Sequence, residues 1–536
     1  MRVLTALSVF ILLIPAATAA HAKSGASAGQ ILYRQGVLPD GKLLRGPREA
    51  GGDVTGADAA CVSCHRRSGL GTQEGRYVIP PVISRYLFRP GLRNIEDMTV
   101  PHVEGYRPNR SAYTDETLAR AIRDGVDADG RKLNYLMPRF KLDDTAMQSL
   151  ITYLKQLTNG PVPGVSDDTL QFATIITPDA DPVKRKAMLT VLNQFFTDKN
   201  SFIRGGQRPM HSTREIKYRV IRQWKLHVWE LTGTPETWEQ QLREKLAAEP
   251  VFAVISGLGG KTWAPVHQFC EDEEIPCLLP NVDIPVVNES DFYPVYFSKG
   301  VLLEAQLLAE QIQQMQPKPL KVTQIFRLGD IGENAASALH AASANLQMQD
   351  ITLPASGSPK ALRDALRAVA PGSTIVLWLR PGDLATLPKT PPDASAILIS
   401  GLMGGLENSP IPLAWRATAQ LSYPFDLPDQ RRVRMDFPFM WFRVHQIPVI
   451  DERVQSDTYL ACGILAETLS GMLDSFVRDY LVERVETMLS NRVITGYYPR
   501  LGLAPGQRFA SKGGYMVKLA GKEGNRVITD SGWIVP

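Results

Sequence analysis

The apolar positions of the chain fall into three patterns along its length. Leu4–Ile14 (LTALSVFILLI) is an unbroken apolar run, too short for a comfortable membrane span. Arg2 precedes it and the small residues of PAATAAHA follow, with Ala20-His21-Ala22 or Ala17-Thr18-Ala19 as the cleavage site. This pattern predicts a removable secretory signal peptide over residues 1–22, with an uncleaved anchor helix as the alternative. No later apolar run reaches spanning length without charges, so the mature chain is expected to be soluble, with no membrane span, in the periplasm.

The second pattern is helical. SAGQILYRQG (27–36) opens it, and TDETLARAIRDG (114–125) follows. In that second stretch Thr114 suits an N-cap, Asp115 and Glu116 suit the first turn, and Gly125 suits the end. LDDTAMQSLITYLKQL (142–157) is a third helix, capped by Asp143 or Asp144, with Leu150, Ile151 and Leu154 as its apolar stripe. These helices belong to one domain over residues 23–158. Residues 159–167 (NGPVPGVSD) read as a linker.

Beyond the linker, short apolar runs alternate with amphipathic stretches. FATIIT, KLHVWEL, VFAVISG, KVTQIF, STIVLWL and SAILISG are the expected strands. Helices are expected near 181–197, from Thr234-Pro235 and over KTWAPVHQFCEDE. Alternation of this kind predicts α/β layers on mostly parallel sheets. Residues 168–536 are too many for one core, so two lobes are expected.

Composition narrows the picture only slightly. A chain of 536 residues, 44% hydrophobic and 21% charged, suits two or three soluble globular domains. A net charge of +4 with no dense Lys/Arg tract gives no reason to expect nucleic acid as a partner.

The chemistry is concentrated in five cysteines. Cys270 and Cys277 form a close pair joined by a short loop, a candidate disulfide in an oxidising compartment. Cys462 lies in an apolar helical run and reads as a buried small hydrophobe. Cys61, Cys64 and His65 form CVSCH. Two thiols at this spacing reach both vinyl groups of a haem, and the adjacent imidazole then lies over the iron. Half of a zinc site is the competing reading, but no second CxxC or HxxxH is present. A redox CxxC pair would want a preceding strand and a helix start, and the downstream pattern does not fit. One covalently bound haem c is therefore expected.

The sixth iron ligand is sought in GVDADGRKLNYLMPRFKLDD, where Met137 precedes Pro138 ahead of the last helix. A thioether suits iron and raises the reduction potential relative to a second histidine. Met98, His102 and Met147 are the other candidates, with Met147 placed inside the final helix.

With CVSCH, LMPRF and LITYLKQL in this order, residues 23–158 resemble the class I c-type cytochromes. The resemblance implies a small all-α domain. Gly29 and Tyr33 would pack its first helix on its last, and the carbonyl of Pro80 or Pro81 would hold His65 through its other ring nitrogen. Residues 82–113 depart from minimal members of the family as an enlarged loop.

In the second region VFAVISG runs into GLGGKTWAPVHQF, which puts glycines between a strand and a helix N-terminus. Such a turn binds an anion or is purely structural, and it lacks the fingerprints of nucleotide binding. The segments ISGLGGKTWAPVHQFCEDEEIPCLLPNVDIP, VYFSKGVLLEAQLLAEQI, IFRLGDIGENAASALHAA and YYPRLGLAPGQRFASKGGYMVKL come in an order that resembles the periplasmic-binding-protein type I fold, in particular its branched-chain amino-acid binding group. The resemblance implies a ligand cleft between two lobes. Ser256, Gly260 and Thr262 would match lobe-one groups near a ligand carboxylate. Asp283 stands where the family has a hydroxyl residue, and Arg380 and Asp383 stand near the family's acidic position. Both departures argue against an ordinary amino-acid ligand.

Three functions are in play. The first is a periplasmic electron carrier whose binding-protein-like lobes sense a small molecule or dock a redox partner, such as a dehydrogenase or another cytochrome. The second is the substrate-binding receptor of an ABC-type uptake system with an accessory haem domain. The third is an enzyme, disfavoured because an iron with both axial positions filled offers no open site.

Overall fold

The computed structural model describes residues 26–536 except 50, 75–76, 91–108, 159, 206–221, 289, 320, 344, 473–474, 490–491, 493–494, 521–525 and 530. The expected signal peptide, Met98 and His102 lie outside the described residues. The chain divides into two compact units, one before and one after residue 159.

The first unit contains helices α1 (Ala28–Gln35), α2 (Val62–His65), α3 (Ser84–Leu87), α4 (Asp115–Asp124) and α5 (Asp144–Gln156). Their ends follow side-chain chemistry. Ser27 caps α1, Thr114 and Thr117 form a capping box on α4, and Asp143, rather than Asp144, caps α5. Gly36 and Gly125 close α1 and α4 in the left-handed region. α1 crosses α5 where Gly29 sits, and a Cβ there would fall 2.1 Å from the carbonyl oxygen of Ser149. Tyr33 packs its ring 5.3 Å from that of Tyr153 across the same crossing.

The expectation of an all-α domain needs correction. Two antiparallel ribbons join the helices: β1 (Arg45–Pro47) with β2 (Asp53–Thr55), and β3 (Thr72–Glu74) with β4 (Tyr77–Ile79). Strands of three residues are too short to show a period of two in the sequence.

The second unit has two parallel sheets, one per lobe. The first lobe's sheet holds β5 (Thr169–Ile176), β6 (Gln223–Glu230), β7 (Ala253–Ile255), β8 (Cys277–Leu278) and β9 (Pro294–Val295), in the order β6-β5-β7-β8-β9. Helices α6 (Pro182–Gly205), α7 (Trp238–Ala248) and α8 (Ala264–Asp272) flank it. α9 (Val301–Gln314) leads into the second lobe, with β10 (Val322–Arg327), α10 (Ile331–Ala342), β11 (Met348–Leu353), α11 (Pro359–Arg367), β12 (Thr374–Trp378), α12 (Pro381–Leu384), β13 (Ala396–Ser400), α13 (Gly401–Gly404), α14 (Leu413–Arg416) and β14 (Ala419–Tyr423). Its order, β11-β10-β12-β13-β14, repeats that of the first lobe, and β15 (Tyr515–Ala520) and β16 (Arg526–Thr529) extend it antiparallel. Between β14 and β15 the chain forms α15 (Pro428–Val444), α16 (Glu452–Met472) and α17 (Arg478–Leu489).

Apolar register explains the second sheet. Ile325, Leu377, Ile399 and Leu421 pair side by side across four strands, and none is more than 1% exposed. Burial on both faces is what continuous runs such as STIVLWL encode. This two-lobed α/β architecture is the one that the resemblance to the periplasmic-binding-protein type I fold implies, with α16 returning to lie along α6 of the first lobe.

Candidate functional site

Cys61, Cys64 and His65 sit on one helical turn. The His65 amide donates to the Cys61 carbonyl at 2.8 Å, and the Arg66 amide donates to that of Val62 at 3.0 Å. Arg66 then ends the turn at φ 65°, a conformation uncommon for a residue with a side chain. Tyr33 of α1 donates its hydroxyl to the Arg66 carbonyl at 2.7 Å. The α1–α5 crossing therefore anchors the end of this turn.

The His65 ring is oriented by its own second nitrogen. Nδ1 lies 2.9 Å from the Pro80 carbonyl oxygen, which makes Nδ1 the donor and leaves Nε2 on the opposite edge of the ring. Gly71 makes this approach possible: it donates its amide to the His65 carbonyl at 3.1 Å at φ 73°. A Cβ on Gly71 would fall 2.1 Å from the Ile79 oxygen and 2.9 Å from that of Pro80. Burial lowers the His65 pKa, against the Pro80 hydrogen bond, and so favours the neutral imidazole that ligates metals. Burial pushes the Cys61 thiol up to about 12.

Met137 closes a short turn, with its amide 3.2 Å from the Asn134 carbonyl. Arg139 reaches back to donate to the Met137 carbonyl at 2.5 Å, and its own amide donates to Pro47. Met137 is half-buried, whereas Met147 is 3% exposed inside α5, among the apolar residues of that helix.

This donor set fits a haem c. Neither Cys61 nor Cys64 is in a disulfide, burial favours the neutral form of an imidazole oriented by Pro80, and the Met137 backbone is held by Arg139. Among the described residues no three His, Cys, Asp or Glu side chains gather as a metal cluster, which leaves the zinc reading without its further ligands.

In the second unit the sequence-derived residues do not converge. Ser256, at φ 56°, is fully buried; its hydroxyl accepts from Asn281 at 2.9 Å and lies 3.4 Å from that of Thr458. Gly260 donates its amide to Thr177 at 3.1 Å, and a Cβ there would strike the Asp179 carboxylate. Thr262 accepts from the Ala264 amide at the start of α8. Cys270 and Cys277 are joined in a disulfide, with Cα atoms 6.2 Å apart.

Asp283 instead joins a cluster built from distant segments. Arg453 of α16 donates to it at 3.0 Å, and Lys184 lies 3.9 Å away. Arg453 also lies 3.9 Å from Asp457, one helical turn on, which accepts from Tyr498. Tyr498 stacks on Phe297 at 5.2 Å. Burial alone would raise the Asp283 carboxyl, but the charges of Arg453, Lys184 and Arg380 outweigh it and hold it below its usual value. Asp457 goes the other way: burial, against Arg453, raises it to about 7. The cavity lined by Asp283, Arg453, Asp457 and Tyr498 has about 10 Å³, room for about one water.

Arg380 stands at a second, wider cavity of about 540 Å³ with Lys261, Arg327, Asp330 and Asp383. It grips Asp330 through two bonds of 3.0 and 2.9 Å, and Arg327 pairs with Asp383 in the same way. Arg453, Asp457 and Tyr498 escaped the sequence reading. Their one signal was a charged pair four residues apart on α16, an otherwise buried helix.

Comparison with known proteins gives the two units separate relatives. Residues 50–158 match the cytochrome c family. Among curated proteins none matches the chain. A fatty acid ABC transporter substrate-binding protein from Thermomonospora curvata is similar in structure, at 16% identity and a TM-score of 0.49, over 70% of this chain and 95% of that one. A branched chain amino acid ABC transporter protein from Thermus thermophilus with bound valine is similar at 12% identity and 0.47, over 69% and 97%. An ABC transporter substrate-binding protein from Sphaerobacter thermophilus is similar at 11% and 0.48, over 69% and 98%. The two-lobed fold rests on the strand orders themselves.

Proposed function

We propose that this chain is an exported one-electron carrier with a single haem c, and that its binding-protein-like unit serves to dock a redox partner. The observation that carries the reading is the helical turn that presents Cys61 and Cys64 beside an imidazole already oriented by Pro80. When bound, the haem supplies the one-electron couple. Cys61 and Cys64 would hold it by thioethers, and His65 Nε2 and the Met137 thioether would ligate its iron. Tyr33 and Gly29 fix the turn against α5, and Gly71 and Pro80 fix the imidazole, so little rearrangement accompanies a change of charge. With His65 and Met137 supplied as ligands by the chain itself, this reading makes the protein a carrier rather than an enzyme.

The apolar run at residues 4–14, with its small-residue flank, supports export to the periplasm. Among the described residues no helix is long and apolar enough to cross a membrane. For the second unit, side chains of the chain itself fill the cavity around Asp283, which disfavours solute capture there and leaves the wider cavity at Arg380 as the place for any small molecule. The test is a pair of absorption spectra, oxidised and reduced, taken with and without candidate periplasmic dehydrogenases. Reduction by a dehydrogenase is expected. Tight solute binding with no redox response would favour the receptor instead.

A further inference from the structure

Helix α15 buries Arg431, Met435, Pro438 and Phe442, and Trp441 Nε1 donates to Asp198 at 2.9 Å. The helix is thus pinned through one face. Its opposite face shows Val433, Phe437, Met440 and Val444 at 65%, 60%, 58% and 71% exposure. Four large apolar side chains in one stripe on the outside of a folded unit mark an interaction surface.

The stripe is self-complementary. The spacings along it are four, three and four, so it reads the same in both directions. A two-fold axis midway between Phe437 and Met440 would set Val433 against Val444 of a second copy, and Phe437 against its Met440. One flank of the stripe carries the exposed charges Asp429, Arg432, Asp436 and Arg443. Asp436 and Arg443 are seven residues apart and share this flank. Antiparallel pairing brings the same flank of both copies together and sets Asp436 within about one turn of Arg443 of the second copy. Among the described residues neither side chain makes an ion pair within the chain.

We propose that α15 forms the contact of an isologous homodimer, packed antiparallel on α15 of a second copy. The contact needs about 800 Å² from each copy to be a specific interface, so the charged flank has to join the apolar stripe in it. A membrane surface fits less well, because Asp429 and Asp436 offset Arg432 and Arg443 and leave the flank no net positive charge for anionic headgroups.

The experiment is sedimentation and light scattering of the full haem-loaded chain at micromolar concentrations. Twice the mass of one chain is expected. Phe437→Glu and Asp436→Arg should each weaken the dimer by at least about 10-fold. The double reversal Asp436→Arg with Arg443→Asp should restore it, with an unchanged circular dichroism spectrum as the check on folding. The mass of one chain for the unmodified protein would overturn the proposal, whether or not that chain binds anionic vesicles. So would a dimer indifferent to Phe437→Glu, or a double reversal that fails to restore association.

Discussion

Nδ1 of His65 and the carbonyl oxygen of Pro80 lie 2.9 Å apart, across fifteen residues of chain. A backbone acceptor cannot rotate away as a side chain can, so it fixes both the tautomer and the plane of the ring. The contact depends on Gly71, whose missing Cβ leaves room for the end of β4 and for Pro80, which follows it.

Gly71→Ala should therefore destabilise the first unit by about 1–3 kcal/mol and shift the reduction potential, because the Pro80 carbonyl must move. Gly130→Ala is the control: Gly130 also has positive φ, at 87°, but a Cβ there meets nothing within 4 Å. It should cost only about 1 kcal/mol and leave the potential alone. Denaturant melts and redox titration of both variants check the contrast.

Met137→Ala should leave the haem attached and lower the reduction potential, since losing the thioether removes a ligand that favours the ferrous state. Carbon monoxide should bind faster at the opened position. Met147→Ala should do neither, because Met147 is buried in α5. Potentiometry and ligand-binding rates separate the two residues.

Replacing Cys270 and Cys277 with Ala should cost the second unit about 2–3 kcal/mol, as expected for so short a closed loop. Thiol counting on the unfolded, unreduced haem-loaded protein should find one thiol, that of the buried Cys462.

The stability of the second unit should depend on pH through two buried carboxyls. Burial raises Asp457 to about 7, and it raises Glu304 to about 7 against hydrogen bonds from Ser400, the Leu402 amide and Ser422. The folded state then holds protons that the unfolded state has released, so stability falls as pH rises from about 4 to about 7 and levels off above. Thermal melts of Asp457→Asn and Glu304→Gln should each show a shallower slope over this window than the parent protein.

Helix ends and the haem motif were legible because they are local. Thr114, Gly125 and Asp143 act within four residues of themselves, and CVSCH is a single turn. The ribbon of β3 and β4 was not legible, since three residues show no alternation. The cluster around Asp283 was hidden for a different reason. Arg453 comes to it from 170 residues away, and Ser256 meets Thr458 across 202. A strand-end serine looks the same in sequence whether it faces a ligand or the chain's own helix, and here α16 takes the place.

The most direct measurement is the intact mass of the unfolded chain, purified from an oxidising compartment of cells able to attach haem. The protein should carry the added mass of one haem through denaturation, and the variant with Cys61→Ala and Cys64→Ala should lose it. A parent chain that unfolds to the bare polypeptide mass, or a double variant that keeps the haem, would contradict the assignment of Cys61, Cys64 and His65.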